Sequence, residues 1–189
     1  MQIPPGTYPL GPDDGRLTVR TQRSGAAAMA GHNLVIDVTS WTAVLTAGET
    51  AADMRVELDV DGGSLRVREG TGGMQTLEQQ HKQEIEQTID DEVLKRDAIN
   101  FRSTHAARSG DEDAVTVEGD LTLHGTSHPI AFDVSAEDDG TVSASTVIKQ
   151  TDYGIKPYST LFGALKVVDE VEVSIAVRLP TPVASASAS

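Results

Sequence analysis

Apolar and polar residues alternate one by one along most of this chain, and that alternation restricts the fold more than any other feature. Met54, Val56, Leu58 and Val60 alternate with Arg55, Glu57 and Asp59. A period of two places the two sets on opposite faces of a β-strand. RLTVRTQ (16–22) shows the same rhythm, as do Leu34, Ile36 and Val38 with Asp37 and Thr39 between and after them. DGG (61–63) then turns the chain into Leu65 and Val67, a hairpin signal. Further runs begin at Ile99 and Phe101, at Val115 and Val117 with Leu121 and Leu123, at Ile130, Phe132 and Val134, and at Val142, Ala144, Thr146 and Ile148. The last comprises Val171, Val173, Ile175, Val177 and Leu179. Strands apolar on one side only argue for an antiparallel sheet with one wet face. So many in succession remove their exposed edges best by closing up. The expectation is an all-β fold: an antiparallel eight-stranded lipocalin-like barrel, a two-sheet sandwich being the alternative.

One segment departs from period two. MQTLEQQHKQEIEQTIDDEVLKRD (74–97) lacks Gly and Pro, and Leu77, Ile85, Ile89 and Val93 recur at multiples of four. This reads as an amphipathic helix with a thin apolar stripe, placed across one barrel end. Residues 1–14 hold four prolines and two glycines and read as an irregular lead-in. Residues 15–180 form the single β-barrel domain. Residues 181–189, in the Ser/Ala repetition after Pro180, read as a disordered tail.

Charge excludes one class of partner. With 29 Asp plus Glu against 15 Lys plus Arg, the surface repels phosphate backbones, so no nucleic acid partner is expected. The absence of cysteine rules out disulfides and thiolate chemistry. No stretch reaches the ~20 apolar residues of a membrane helix, and the first residues lack the basic and apolar regions of a secretory signal. A cytoplasmic protein with no integral membrane segment is the expectation.

Candidate chemistry is sparse. His124 and His128 stand four apart, the spacing of a helical zinc pair. Their flanks alternate as strands, however, and Gly125, Thr126 and Ser127 between them belong to a hairpin turn. No acidic third ligand lies nearby, so neither a metal nor a catalytic pair is assigned there. His105 falls in phase with Ile99 and Phe101 and points inward on that phase. The chain has no nucleophile elbow and no phosphate loop. It is read as no enzyme, with no cofactor. The inward face is mostly Val, Ala, Ile, Leu and Thr, in a chain with only 3 Phe, 3 Tyr and 1 Trp. Small aliphatic walls leave room inside a barrel for a guest.

Four stretches resemble the YceI-like family of lipocalin-like, polyisoprenoid-binding barrels. They are PGTYPLGPDDGRLTVRTQRSG (5–25), AGHNLVIDV (30–38) with His32 ahead of its strand, INFRST (99–104) followed by VEGDLTLHGTSHPIAFDV (117–134), and KQTDYGIKPY (149–158) with VVDEVEVSIAV (167–177). Gln150 stands where an Arg is common in that family, and Tyr153 where a Phe is. The resemblance implies a carrier or sequestering protein whose ligand is an isoprenoid-type lipid, such as a polyprenyl quinone or polyprenyl phosphate, and it implies a possible homodimer. The expected ligand-binding lining is Leu34, Ile36, Val56, Leu58, Phe101, Leu123, Phe132, Ile148 and Val173, with His32, Asp152 and Tyr153 at the mouth. Two other readings stay open: a structural or interaction module with a filled core, and a His-based metal-dependent enzyme.

Overall fold

The computed structural model describes residues 3–110 and 114–182. The Ser/Ala tail from residue 183 onward lies outside the described residues. Seven strands precede the helix: β1 (Gly6–Leu10), β2 (Gly15–Thr21), β3 (Arg23–Ser24), β4 (Asn33–Val38), β5 (Trp41–Ala47), β6 (Arg55–Val60) and β7 (Leu65–Thr71). The helix α1 (Gln79–Thr88) follows. The chain continues through β8 (Ile99–Arg108), β9 (Ala114–Leu123), β10 (Thr126–Ala136), β11 (Thr141–Lys149), β12 (Ser159–Thr160), β13 (Leu165–Val167) and β14 (Glu170–Arg178).

Among the described residues, eleven strands form one curled antiparallel sheet in the order β1-β5-β6-β8-β9-β10-β11-β14-β2-β4-β7. The count of eight is therefore corrected to eleven. Three long ribbons bend and split in two, at residues 11–14, 39–40 and 61–64, and DGG (61–63) makes one of these bends rather than the expected hairpin, since β6 pairs with β5 and β8 while β7 pairs with β4. Each half keeps pairing with the neighbouring ribbon: β2 with β4 and β1 with β5, then β4 with β7 and β5 with β6. β12, β13 and β3 make a separate three-stranded sheet.

Two strands of the large sheet were not anticipated, nor were the three of the small sheet. β1 lies inside the segment expected to be irregular, and it adds Tyr8 and Leu10 to the core. It stands at one end of the ladder, paired only to β5, where a proline such as Pro9 costs no ladder bond. β5 buries Trp41, Ala43, Leu45 and Ala47. Its alternation is faint because two of those inward residues are alanines while Val44 faces outward. Tyr8, Ile36 and Val117 are the largest side chains shut off completely from solvent.

The helix is shorter than the apolar stripe suggests. Residues 72–77 are drawn into backbone contacts instead, with Met74 N donating to Met29 O at 3.1 Å. After α1 one wider turn covers Ile89–Val93, closed by Leu94 N donating to Ile89 O at 2.8 Å. Lys95 and Arg96 then take left-handed backbone angles (φ 53° and 58°) and end it. Two helix side chains dock it on β7, the other end of the ladder: Val67 N donates to Glu86 Oε1 at 2.8 Å, and Lys82 Nζ donates to Arg68 O at 2.7 Å. Backbone groups of an edge strand thus find partners, which blunts the edge.

Candidate ligand cavity

Inward side chains of the curled sheet do not meet in the middle. They enclose a cavity of about 900 Å³. Leu34, Ile36, Val56, Leu58, Phe101, Leu123, Phe132, Ile148 and Val173 all stand on its wall, and His32 stands at its mouth. The rings of Phe101 and Phe132 pack at 5.2 Å between centroids. Residues of the same phase complete the wall, among them Val19, Leu45, Ala144 and Ile175, and the helix adds Ile85, with Leu77 ahead of it and Ile89 and Val93 in the wider turn after it. The helical stripe therefore faces the cavity.

Asp152 and Tyr153 do not line it. Asp152 is exposed. Tyr153 is buried behind the wall, where its ring meets His128 edge-on at 5.3 Å. Its hydroxyl has no hydrogen-bond partner among the described residues. Burial, helped by the Asp152 charge, pushes that hydroxyl's pKa up. The neighbour that does reach the cavity is Gln150, which is buried and whose Nε2 donates to Val168 O at 3.0 Å and Asp169 O at 3.2 Å.

The histidines are dispersed. His124 and Gly125 form the two-residue turn between β9 and β10, both with positive φ (51° and 72°), the geometry a tight hairpin prefers. His124 Nδ1 lies 3.1 Å from Asp97 Oδ2, while His128 is exposed on β10. His105 corrects the inward expectation. A bulge between Ser103 and His105 shifts the phase, so Ala106 is buried and His105 is exposed. Among the described residues, no group of three His, Asp or Glu side chains is placed to hold a metal ion. No helix of the described residues is long and apolar enough to cross a membrane.

Polar bonds organise the mouth. His32 Nε2 sits 2.8 Å from Gln75 O, and Arg23 Nη1 donates to Ala28 O and Gly31 O at 2.7 and 2.6 Å. Beside it, Leu161 and Phe162 both adopt left-handed angles (φ 52° and 55°), a strain of roughly 1 kcal/mol or more each. Phe162 is fully exposed there.

Below the mouth, the Thr151 hydroxyl donates to Asp169 Oδ2 at 2.5 Å and Thr151 N donates to Oδ1 at 2.9 Å. The hydroxyl bond is the main cause that holds the Asp169 carboxyl below its ordinary range, with burial opposing it and Lys149 assisting. A carboxyl depressed in the native state stabilises the fold above its unfolded pKa, and that contribution fades as pH falls through the native value. Urea unfolding of Thr151→Val should therefore show a shallower loss of stability below about pH 4 than the parent. An identical acid limb in both proteins would refute the role given to that bond.

A curled antiparallel sheet around an apolar interior, with a helix docked along one edge, defines a lipocalin-like barrel. Residues 15–179 match the model of the YceI-like domain, and the chain belongs to that family. Its fold is similar to BcnA of Burkholderia cenocepacia, with a TM-score of 0.63 and 14% identity over 88% of this chain and 96% of that one. It is also similar to a polyisoprenoid binding domain from Saccharophagus degradans implicated in plant cell wall breakdown (TM-score 0.54, 12% identity, 94% of this chain and 100% of that one). A variant of the YceI protein of Campylobacter jejuni gives a TM-score of 0.52 at 18% identity, over 75% and 81% of the two chains. No curated protein matches the sequence.

Proposed function

We propose that the protein binds, and carries or sequesters, a long-chain amphiphile whose isoprenoid tail occupies the cavity. A polyprenyl quinone or polyprenyl phosphate is the ligand class. The observation that carries this reading is the wall itself: about 900 Å³ bounded almost throughout by aliphatic side chains. That volume is near the upper end for small-molecule sites. Each CH₂-sized group moved from water into such a space gains roughly 0.8 kcal/mol. Ten groups would contribute about 8 kcal/mol before the cost of ordering the tail is subtracted. The pairings of β14 with β2 and of β6 with β8 carry the curled sheet round the cavity, which supports the same reading.

The filled-core module fits poorly with a space of this size. Catalysis has little support, since the histidines are scattered and the wall is inert. For the headgroup, His32 is kept and Arg23 and Gln150 take the place of Asp152 and Tyr153, because they reach the cavity. The polyisoprenoid binding domain among the structural neighbours supports the same ligand class by analogy of fold alone.

Native mass spectrometry of protein purified without detergent, followed by solvent extraction, tests the proposal. The expected result is one isoprenoid lipid per chain, or uptake of one added geranylgeraniol. Protein that carries nothing and takes up no geranylgeraniol would overturn it.

A further inference from the structure

The cavity mouth is framed by three loops that hold one another in place. Residues 25–31 meet residues 72–77 through Met74 N and Met29 O, and meet residues 158–165 through Ala27 N donating to Ala164 O at 2.8 Å. The small sheet joins β13 to β3 beside them. This rim departs from the rest of the molecule in two ways. First, it displays apolar side chains to solvent: Met29, Met74, Tyr158, Leu161 and Phe162. Phe162 is held out by two successive left-handed residues, a conformation that non-glycine residues adopt only when their surroundings impose it. Second, it carries no carboxylate. Residues 23–33 contain one arginine, residues 70–77 no charge, and residues 153–168 two lysines, with no Asp or Glu in any of them. The chain as a whole has a net charge of −14. Carboxylates resume just outside these segments, at Asp37, Glu69, Asp152 and Asp169, and at Glu78 and Glu84 at the start of the helix and within it.

We propose that this rim docks on the headgroup layer of a lipid bilayer, with Leu161 and Phe162 inserted and the mouth facing the membrane. Aromatic and aliphatic side chains are favoured at that depth, and lysines above them meet the phosphates. The Lys166 stem lies beside Gly163, next to the inserted pair. The acidic remainder of the surface is repelled by lipid phosphates, which leaves the acid-free rim as the face that can approach. The purpose of docking, loading a tail from bilayer to cavity, rests on the ligand reading above. The docking itself rests only on the rim.

The test is flotation of the full chain with vesicles of phosphatidylcholine, and of phosphatidylcholine with a minority of phosphatidylglycerol. The parent protein should float with the latter at low salt. Leu161→Ser/Phe162→Ser should partition at least about tenfold less. Lys156→Glu should lose about fivefold on the anionic vesicles and little on neutral ones. Leu161 and Phe162 do not line the cavity, so the double variant should keep its Tm and its uptake of dispersed geranylgeraniol. A parent protein that never floats, or a double variant that floats equally well, overturns the proposal. So does light scattering that shows a dimer abolished by the double substitution, because a second copy of the chain would then cover the rim. Docking that persists without geranylgeraniol uptake would sink the ligand reading and leave the docking intact.

Discussion

Tyr8→Ala should lower the unfolding free energy by about 3 kcal/mol or more, read as a shift in urea midpoint with little change in slope. Tyr8 is 1% exposed, its strand is paired to β5 along its whole length, and its hydroxyl donates to Pro4 O at 2.7 Å. Removing the ring leaves a hole beneath Leu45, its register partner, and frees an end strand that only one neighbour holds. The family match begins at residue 15, so a chain shortened to that boundary would also lose this wall. A midpoint within experimental error of the parent would show that β1 is dispensable.

This case marks where the sequence could be read and where it could not. Long alternating runs such as Val171 to Leu179 announce their strands because both faces have strong, opposite preferences. Tyr8 and Leu10 alternate too, but Pro4, Pro5, Pro9 and Pro12 around them speak for irregular chain. Proline is compatible with a strand at the end of a ladder, and nothing local says where in the ladder a strand will lie. The break at DGG was visible but its kind was not, since a bend that hands each half to the neighbouring ribbon uses the same turn residues as a hairpin. His105 failed for the opposite reason: one inserted residue moves every later side chain to the other face. The inward phase of the long strands could be read from their alternation. The mouth could not, because Asp152 and Tyr153 are placed by a turn whose geometry the residue types do not dictate, and Gln150 is carried to the cavity in their stead.

Filling the cavity should have the largest effect on binding. Ala144 and Val173 both face the hollow, from neighbouring strands β11 and β14. In Ala144→Phe/Val173→Phe the added rings enter existing space, so the usual cost of overpacking a full core is small. Tm should hold or rise, while affinity for geranylgeraniol in a fluorescence or calorimetric titration should fall by roughly a hundredfold. The rings would displace several CH₂-sized groups of the tail at ~0.8 kcal/mol each. Unchanged affinity would mean that the tail lies elsewhere. A large loss of Tm would mean that the interior is not the open space described.

The pairing of β2 with β14 sets Leu17 beside Ile175, so residues from opposite ends of the chain share one ladder. Contacts this remote in sequence slow the search for the native state, whereas β9 and β10 meet across a two-residue turn and can associate early. The most distant pairing, of β2 with β14, closes the wall around the hollow. A guest held there has no counterpart in the unfolded chain, so its affinity adds directly to the stability of the whole molecule, and expression alongside an abundant lipid would raise the yield of native protein by mass action.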